Sequence, residues 1–107
     1  ALYDKAKEAL GKKKLDEALK FIDTALEALP NNPDYLSLKG EILGRKKNLN
    51  DAINYFDRAL KLRPRDSAIM TLKGVALFQI GNYRASLEMC ETALRIDPSN
   101  SKAMKGR

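Results

Sequence analysis

The side chains that could carry out covalent or acid–base chemistry are few in this chain of 107 residues, and none has a matching partner. Cys90 is the only cysteine, and there is no histidine. A thiol nucleophile needs a base beside it and a zinc site needs several cysteine or histidine ligands, so neither is expected. The adjacent acids Asp16 and Glu17 come at a predicted helix start, where the helix dipole explains them. We therefore expect no enzyme activity, no cofactor and no metal.

The net charge of +6 includes two basic segments, Gly11–Lys14 and Arg45–Lys47, at equivalent places along the chain. Together they would form a basic ridge that could meet an acidic protein, RNA or an anionic lipid surface. A charge run is more often a solvated edge, and the equivalent segment Gln79–Gly81 carries no charge. A basic-edge module that binds RNA or another polyanion therefore stays the alternative function, with nucleic acid disfavoured as a partner.

The strongest pattern in the chain is a repeat. Pro30, Pro64 and Pro98 are evenly spaced, and several positions before them recur in step. A fixed period of this size is typical of stacked arrays, in which each unit buries its apolar face against the next. Small residues recur where helices should cross closely, at Ala18, Ala52, Ser86, Ala25, Ala59, Ala93, Gly40 and Gly74.

Apolar residues at steps of three and four predict two helices in each unit and no strand. Asn32, Asn48 and Asp66 are the predicted N-caps, and Pro64 ends the second helix of the middle unit because proline disfavours a helical residue before it. The predicted helices span residues 1–10, 15–29, 33–43, 49–63, 67–80 and 83–96.

These units resemble the tetratricopeptide repeat, a helical-hairpin repeat that ends in a proline. The resemblance implies an all-α fold: an α-solenoid of three antiparallel helix-turn-helix repeats forming a right-handed superhelix. It implies one domain over residues 1–107, with repeats at 1–32, 33–66 and 67–100 and the start of a fourth at 101–107. The middle unit carries the resemblance most fully, on Leu36, Lys39, Gly40, Leu43, Ala52, Phe56 and Pro64.

Two departures from the family pattern affect packing. Lys5, Lys39 and Lys73 take the place of a leucine, and we expect their stems on apolar surface with the ammonium groups in water. Ser86 and Cys90 stand where alanine and phenylalanine are usual, which should lighten the core of the third unit. Cys90 is expected to be an inert core thiol.

In this family the first helix of each pair lines a concave groove, where partner peptides or helices dock. Ser37, Glu41 and Arg45, in steps of four, share one helical face. The groove would be charged at its beginning and apolar near Val75 and Phe78, which fits a partner with an apolar anchor and a mixed-charge stretch. The residues that the resemblance assigns to the groove are Tyr3, Lys7, Leu10, Ser37, Leu38, Glu41, Arg45, Ala68, Thr71, Leu72, Val75, Phe78 and Gln79.

The apolar members of this set admit a second interpretation. Leu72 and Phe78 could be core residues that fill the space between neighbouring first helices. A role in partner binding requires that the folded chain expose them.

One subclass of the family grips the C-terminal carboxylate of heat-shock chaperones with lysine, asparagine and arginine side chains. Recognition of a carboxylate needs several converging donors. Only Lys7 offers a charged donor among the matching places here, so we expect a protein or peptide partner of another kind. Those places hold Tyr3, Lys7, Leu38, Ala68 and Leu72.

Nothing in the sequence points to a membrane or to secretion. No apolar run approaches the length of a membrane span, and charges run through residues 1–10, unlike in a signal peptide. We expect a cytoplasmic protein. The repeats begin and stop abruptly, so we expect a piece of a longer array or, alternatively, self-association through an uncapped C-terminal end.

Overall fold

Residues 1–99, the part of the chain that the computed structural model describes, form helices and turns and contain no strand. The predicted helices agree with the observed bounds to within two residues at each end. The expected start of a fourth repeat, at 101–107, lies outside the described residues. The helices are α1 (Leu2–Gly11), α2 (Leu15–Ala28), α3 (Pro33–Arg45), α4 (Leu49–Leu62), α5 (Ser67–Gln79) and α6 (Tyr83–Ile96).

These helices pack as three antiparallel hairpins within the described part, α1 with α2, α3 with α4 and α5 with α6. Consecutive hairpins meet through α2 with α3 and through α4 with α5. The first helices also contact each other, α1 with α3 and α3 with α5, whereas α2, α4 and α6 do not. The all-helical repeat architecture predicted from the sequence is thereby confirmed. Because the first helices approach one another and the second helices do not, the side of the first helices is the inner side of the stack.

Two of the predicted N-caps bind the helix start as expected. The Asn32 side chain accepts hydrogen bonds from the backbone N–H groups of Asp34 and Tyr35, at 2.9 and 3.2 Å. The Asp66 carboxylate accepts one from Ile69 at 3.1 Å. Asn48 occupies the N-cap position of α4, as predicted, but its side chain makes no capping bond. Asn82, at the start of α6, has nearly the same backbone, with a ψ of 73° against 66° for Asn48, yet its side chain accepts a hydrogen bond from the Ala85 N–H at 3.4 Å.

The first helix of each hairpin ends in the same left-handed turn. Lys13, Lys47 and Gly81 have φ values of 62°, 69° and 90°, and they recur at the interval of the prolines. In each turn the next N–H binds a carbonyl five residues back at 2.9 Å, as from Asn82 to Leu77. This is the Schellman arrangement, which favours glycine at the left-handed position. The second helices end instead directly before the recurring prolines, at Leu29, Arg63 and Asp97, whose φ values are −133°, −132° and −135°.

The small residues predicted at the helix crossings are confirmed by the space around them. A Cβ added to Gly40 would lie 2.6 Å from the Phe56 ring. A Cβ added to Gly74 would lie 2.8 Å from the Cys90 sulfur. Ser86 is buried, and its hydroxyl donates a hydrogen bond to the Gly74 carbonyl at 2.7 Å. The serine thus replaces an apolar contact with a hydrogen bond that holds α6 against α5.

Two of the three lysines at the leucine places, Lys39 and Lys73, behave differently from the prediction, which put their ammonium groups in water, whereas Lys5 is exposed. The Lys39 ammonium lies 2.6 Å from the Asp23 carboxylate and 4.9 Å from the centre of the Tyr55 ring, and the Lys39 side chain is only 18% exposed. Burial disfavours its charged form, but hydrogen bonds with Asp23 and Tyr55 outweigh this and raise its pKa. Lys73 pairs with Asp57 at 2.5 Å in the same way. Lys39 and Lys73 therefore each tie their hairpin to the one before it.

Residues 1–99 contain neither a helix that could span a membrane nor a cluster of metal-binding side chains. None of their helices combines the length and the apolar character that crossing a membrane requires. The cysteine, aspartate and glutamate side chains of these residues also form no group of three or more that could hold a metal ion.

Candidate peptide-binding surface

The inner side of the stack is formed by α1, α3 and α5, which carry all the residues assigned to the groove. Ten of those residues are at least partly exposed to solvent. They are Tyr3, Lys7, Ser37, Glu41, Arg45, Ala68, Leu72, Val75, Phe78 and Gln79.

Leu10, Leu38 and Thr71 are buried instead, so they support this surface from beneath. Leu10 and Leu38 belong to the same apolar cluster. The Thr71 hydroxyl donates a hydrogen bond to the Ser67 carbonyl at 2.9 Å. A first helix packs against the second helix of its own hairpin, the second helix of the preceding hairpin and the neighbouring first helices. Contacts on several sides therefore bury more than one face of it.

A cleft of about 260 Å³ lies between α3 and α5 on this side. Its apolar wall is formed by Leu72, Val75 and Ala76, and its polar wall by Glu41 and Arg45 with neighbouring side chains. The predicted face of α3 and the predicted face of α5 therefore meet across one cleft. The remaining lining residues are Gly40, Gly44, Lys47, Phe56 and Gln79.

The predicted groove set lacked five of the residues that line this cleft, namely Gly40, Gly44, Lys47, Phe56 and Ala76. Gly44 and Ala76 open the cleft because their side chains are small or absent. Gly44 follows Gly40 by one helical turn, so both lie on the same face of α3. This spacing is a sequence signal for a helix face without large side chains. Lys47 reaches the cleft from the left-handed turn, whose geometry the sequence pattern does not display.

The charges at the polar wall are only weakly engaged within the chain. Arg45 and Glu41 form an i,i+4 pair at 3.8 Å, at the long limit for an ion pair, and the Arg45 side chain is half exposed. Exposed pairs of this kind contribute about 0.3–0.5 kcal/mol. The guanidinium group is therefore free to be redirected towards a carboxylate or carbonyl of another chain at little cost.

Aromatic side chains lie at the α1 end of the inner side. The rings of Tyr3 and Tyr35 stack with centres 5.4 Å apart, and the Lys7 ammonium lies 5.4 Å from the centre of the Tyr3 ring. Burial raises the pKa of Tyr3, and the nearby carboxylates of Asp34 and Glu41 raise it further. Tyr3 therefore stays a neutral phenol with a hydroxyl close to the acidic part of the surface.

The α5 end of the inner side is apolar and open to water. Phe78 is 59% exposed and Val75 is 45% exposed. The Phe78 ring meets the ring of Tyr83, with centres 5.1 Å apart. Among residues 1–99 Phe78 is therefore exposed and not part of the core, whereas Leu72 is half-buried against the middle apolar cluster.

The basic ridge is partly neutralised by acids of the same chain. Lys46 pairs with Asp16 at 2.5 Å, and Lys12 pairs with Glu8 at 3.0 Å. The hydrogen bond from Lys46 lowers the pKa of Asp16, so the carboxylate stays charged beside it. The ridge thus offers fewer free cations than the sequence alone indicates.

Cys90 lies half-buried between α6 and α5. Burial raises the pKa of its thiol, although a hydrogen bond with Ser86 acts in the opposite direction. A thiol that stays protonated is a poor nucleophile. The expected inert role agrees with this environment.

The three stacked hairpins have left-handed turns that recur at one fixed interval, and this defines a helical-repeat protein. The sequence profile of the tetratricopeptide repeat matches residues 3–53 and 37–101. The chain belongs to the tetratricopeptide repeat (TPR) family. No curated protein matches its sequence.

Solved TPR structures share this fold at low sequence identity. The first TPR domain of Spaghetti (RPAP3), bound to the HSP90 peptide SRMEEVD, has a TM-score of 0.91 and 22% identity, over 98% of this chain and 83% of that one. The TPR domain of Sgt2 from Aspergillus fumigatus has a TM-score of 0.91 and 21% identity, over 98% and 71%.

The same fold also occurs within a larger enzyme. An O-GlcNAc transferase mutant from Thermobaculum terrenum has a TM-score of 0.95 and 24% identity, over 99% of this chain but 20% of that one. At these identities the likeness shows the fold alone.

Proposed function

We propose that this chain is a non-catalytic scaffold that binds a peptide or helix of a partner protein in a concave groove along α1, α3 and α5. An apolar side chain of the partner is seated in the cleft between α3 and α5, against Leu72 and Val75. A polar or charged stretch of the partner runs over Glu41 and Arg45. The observation that carries this proposal is the cleft, whose apolar wall faces a polar one.

The exposure of Val75 and Phe78 supports an apolar anchor. Large apolar side chains on a folded domain are mostly buried, and a cluster left in water marks a surface that another molecule covers. Anchors of this kind supply most of the free energy of binding at protein interfaces. The half-free Arg45 adds directional contacts to the partner beside the anchor.

The peptide SRMEEVD, which the Spaghetti (RPAP3) domain binds, is not the proposed ligand of this chain. At the matching places Leu38 is buried, while Ala68 and Leu72 have no donor. Lys7 alone cannot hold a carboxylate in a fixed orientation. We expect SRMEEVD to bind at least tenfold more weakly than a peptide with an apolar anchor selected on this chain.

A basic edge that binds RNA or another polyanion is the second candidate. It rests on the exposed cations Lys13, Lys14 and Lys47, since Lys12 and Lys46 have acidic partners. Binding through such an edge would weaken steeply with salt and show no preference for sequence. We place either function in the cytoplasm, where a lone protonated thiol such as Cys90 meets no oxidant.

The test uses peptides that are selected from a random library for binding to the wild-type chain. Their affinity is then measured for two matched variants of the chain. Val75→Glu with Phe78→Glu places two charges on the proposed anchor surface, and Leu62→Glu places one on an exposed leucine of α4, the outer helix. All three positions are solvent-exposed, so each variant should melt within about 4 °C of the parent.

The double variant should bind the selected peptides at least about tenfold more weakly, since a buried anchor is worth about 1.5 kcal/mol or more. Leu62→Glu should bind them as the parent does. If the folded double variant binds the peptides as tightly as the parent, the groove is not the binding surface.

A further inference from the structure

The charged residues that line the cleft between α3 and α5 leave an excess of positive charge. Glu41, Arg45 and Lys47 line it, and they carry one negative and two positive charges. The residues that α5 contributes to the cleft carry no charge. The lining residues therefore do not balance their own charge, and a ligand with an acidic group would complement them.

A comparison of two arginines shows that Arg45 has no firm partner. The Arg63 guanidinium group donates hydrogen bonds to both carboxylate oxygens of Asp34, at 2.7 and 3.3 Å. The Arg45 guanidinium group lies 3.8 Å from the Glu41 carboxylate, which is beyond hydrogen-bond distance. Lys47 is exposed and has no ion-pair partner within residues 1–99. Both cations of the cleft therefore keep donors that another molecule can occupy.

The size of the cleft indicates what kind of ligand it takes. Its volume of about 260 Å³ lies below the range of about 300–1,000 Å³ that is typical of small-molecule sites. It therefore fits one or two side chains of a larger ligand. Because the apolar wall and the cations line the same cleft, side chains that reach both of them belong to neighbouring residues of that ligand.

We propose that the partner segment carries an aspartate or glutamate beside its apolar anchor, and that Arg45, assisted by Lys47, selects for this acid. The inference rests on the proposed function, because it needs the anchor to occupy the cleft. A guanidinium group can bind a carboxylate through two parallel N–H bonds, which gives selectivity for shape as well as charge.

Glu41 determines on which side of the anchor the acid lies. It precedes Arg45 by one helical turn and lines the same cleft, so it repels a carboxylate at that end. The acid of the partner therefore lies towards Lys47, at the C-terminal end of α3. It is a side chain within the segment, so a free C-terminal carboxylate on the partner is not required.

The experiment is selection of segments from a random library that is displayed with protein fused to both ends, so that no segment has a free carboxyl terminus. The full chain is used as the wild type and as the variant Arg45→Glu. Wild-type selection should enrich acids beside the shared apolar residue by about threefold over the library, within the range for an exposed ion pair. The Arg45→Glu chain should select basic residues there, and it should bind the acidic segments about tenfold more weakly.

Two further variants separate a local contact from a change of net charge or of stability. Arg58→Glu is the matched control, because Arg58 is an exposed arginine on the outer helix α4. It changes the net charge equally and should leave the preference for acids unchanged. Arg45→Gln places no second acid beside Glu41, and it should abolish the preference without reversing it. Thermal melting should show that each variant is folded.

The possible results distinguish this inference from the proposed function. The inference is overturned if wild-type selection shows no excess of acids, or if Arg58→Glu reduces the excess as much as Arg45→Glu does. The proposed function still stands in both cases when the selected segments fail to bind the variant Val75→Glu with Phe78→Glu. If the segments bind that double variant as tightly as the parent chain, the proposed function fails, and the inference fails with it.

Discussion

Gly40 lies at a close crossing between α3 and α4. A methyl group there would lie 2.6 Å from the Phe56 ring and 3.1 Å from the Ala52 carbonyl oxygen. The ring is fully buried and cannot swing aside without disturbing the middle apolar cluster. We predict that Gly40→Ala lowers the free energy of unfolding by about 1–3 kcal/mol, the usual cost of overpacking.

Gly11 provides the control for this prediction, because it also lies in a helix but has open space where a Cβ would be. Gly11→Ala should leave the stability unchanged or raise it by up to about 1 kcal/mol through helix propensity. Chemical denaturation of both variants measures the difference. Equal stabilities would mean that α3 and α4 do not cross at Gly40.

The ion pair between Lys46 and Asp16 should make the stability of the fold depend on pH. The hydrogen bond from Lys46 holds the pKa of Asp16 below its ordinary value of 3.8. The pair therefore stabilises the fold at every pH above the ordinary pKa of an aspartate. This contribution is lost as the pH falls through the lowered pKa of Asp16 in the folded state. In Lys46→Met the pKa of Asp16 should return towards 3.8.

The carboxyl carbon of Asp16, followed by nuclear magnetic resonance during an acid titration, reports this shift directly. The difference in thermal midpoint between parent and Lys46→Met should be present at neutral pH and vanish in strong acid. A titration curve of Asp16 that is identical in both proteins would rule out the pair in solution.

Individual contacts were predictable from the sequence only where they are local. The caps at Asn32 and Asp66 follow from residue type, because the bonded N–H groups lie two or three residues away. The pair between Asp23 and Lys39 joins two hairpins, so it depends on how they stack. A lysine at a leucine place looks solvated from the sequence because its partner is not visible until that stacking is known.

At the scale of the elements, the left-handed turns after α1, α3 and α5 carry a testable strain. The position is lysine in two turns and glycine in the third, with φ values of 62°, 69° and 90°. A residue with a Cβ costs about 1–2 kcal/mol in this conformation, and glycine does not. We predict that Gly81→Ala destabilises the fold by about 1 kcal/mol although its Cβ would meet no atom within 4 Å.

Lys47→Gly is the reciprocal change and should stabilise the fold, by less than about 1 kcal/mol because glycine also loses more entropy on folding. Denaturant midpoints of the two variants measure both effects. If Gly81→Ala is as stable as the parent, the turn in solution does not have the left-handed backbone.

The helices themselves were predictable to within two residues because three signals coincide. Apolar spacing gives the helical faces, the recurring prolines end the second helices, and polar turns separate the pairs. Asn48 has the predicted cap position without the capping bond, whereas Asn82 makes one from a similar backbone, so residue type and position do not by themselves determine whether a side chain caps. The shared left-handed position was not predictable from two lysines.

At the scale of the molecule, the repeat period determines the stack, and the stack determines which helices share the inner side. Spacing on α3 and α5 was sufficient to predict faces that meet across a cleft. It was not sufficient to separate exposed from supporting positions, because Leu10, Leu38 and Thr71 are buried by helices packed around their own. How deeply a side chain is buried in a repeat stack depends on the neighbouring repeats and cannot be determined from the spacing within one helix.

The central claim is that a partner docks on the inner side of α3 and α5. The most direct measurement is a nuclear magnetic resonance titration of the wild-type chain with a peptide selected on it, following the side chains of both sides of the stack. The account predicts that Leu72, Val75 and Phe78 shift together and saturate at one dissociation constant, while Tyr55 and Leu62 on α4 stay unchanged. Shifts confined to α4 and the other outer helices, with the inner side unmoved, would contradict it.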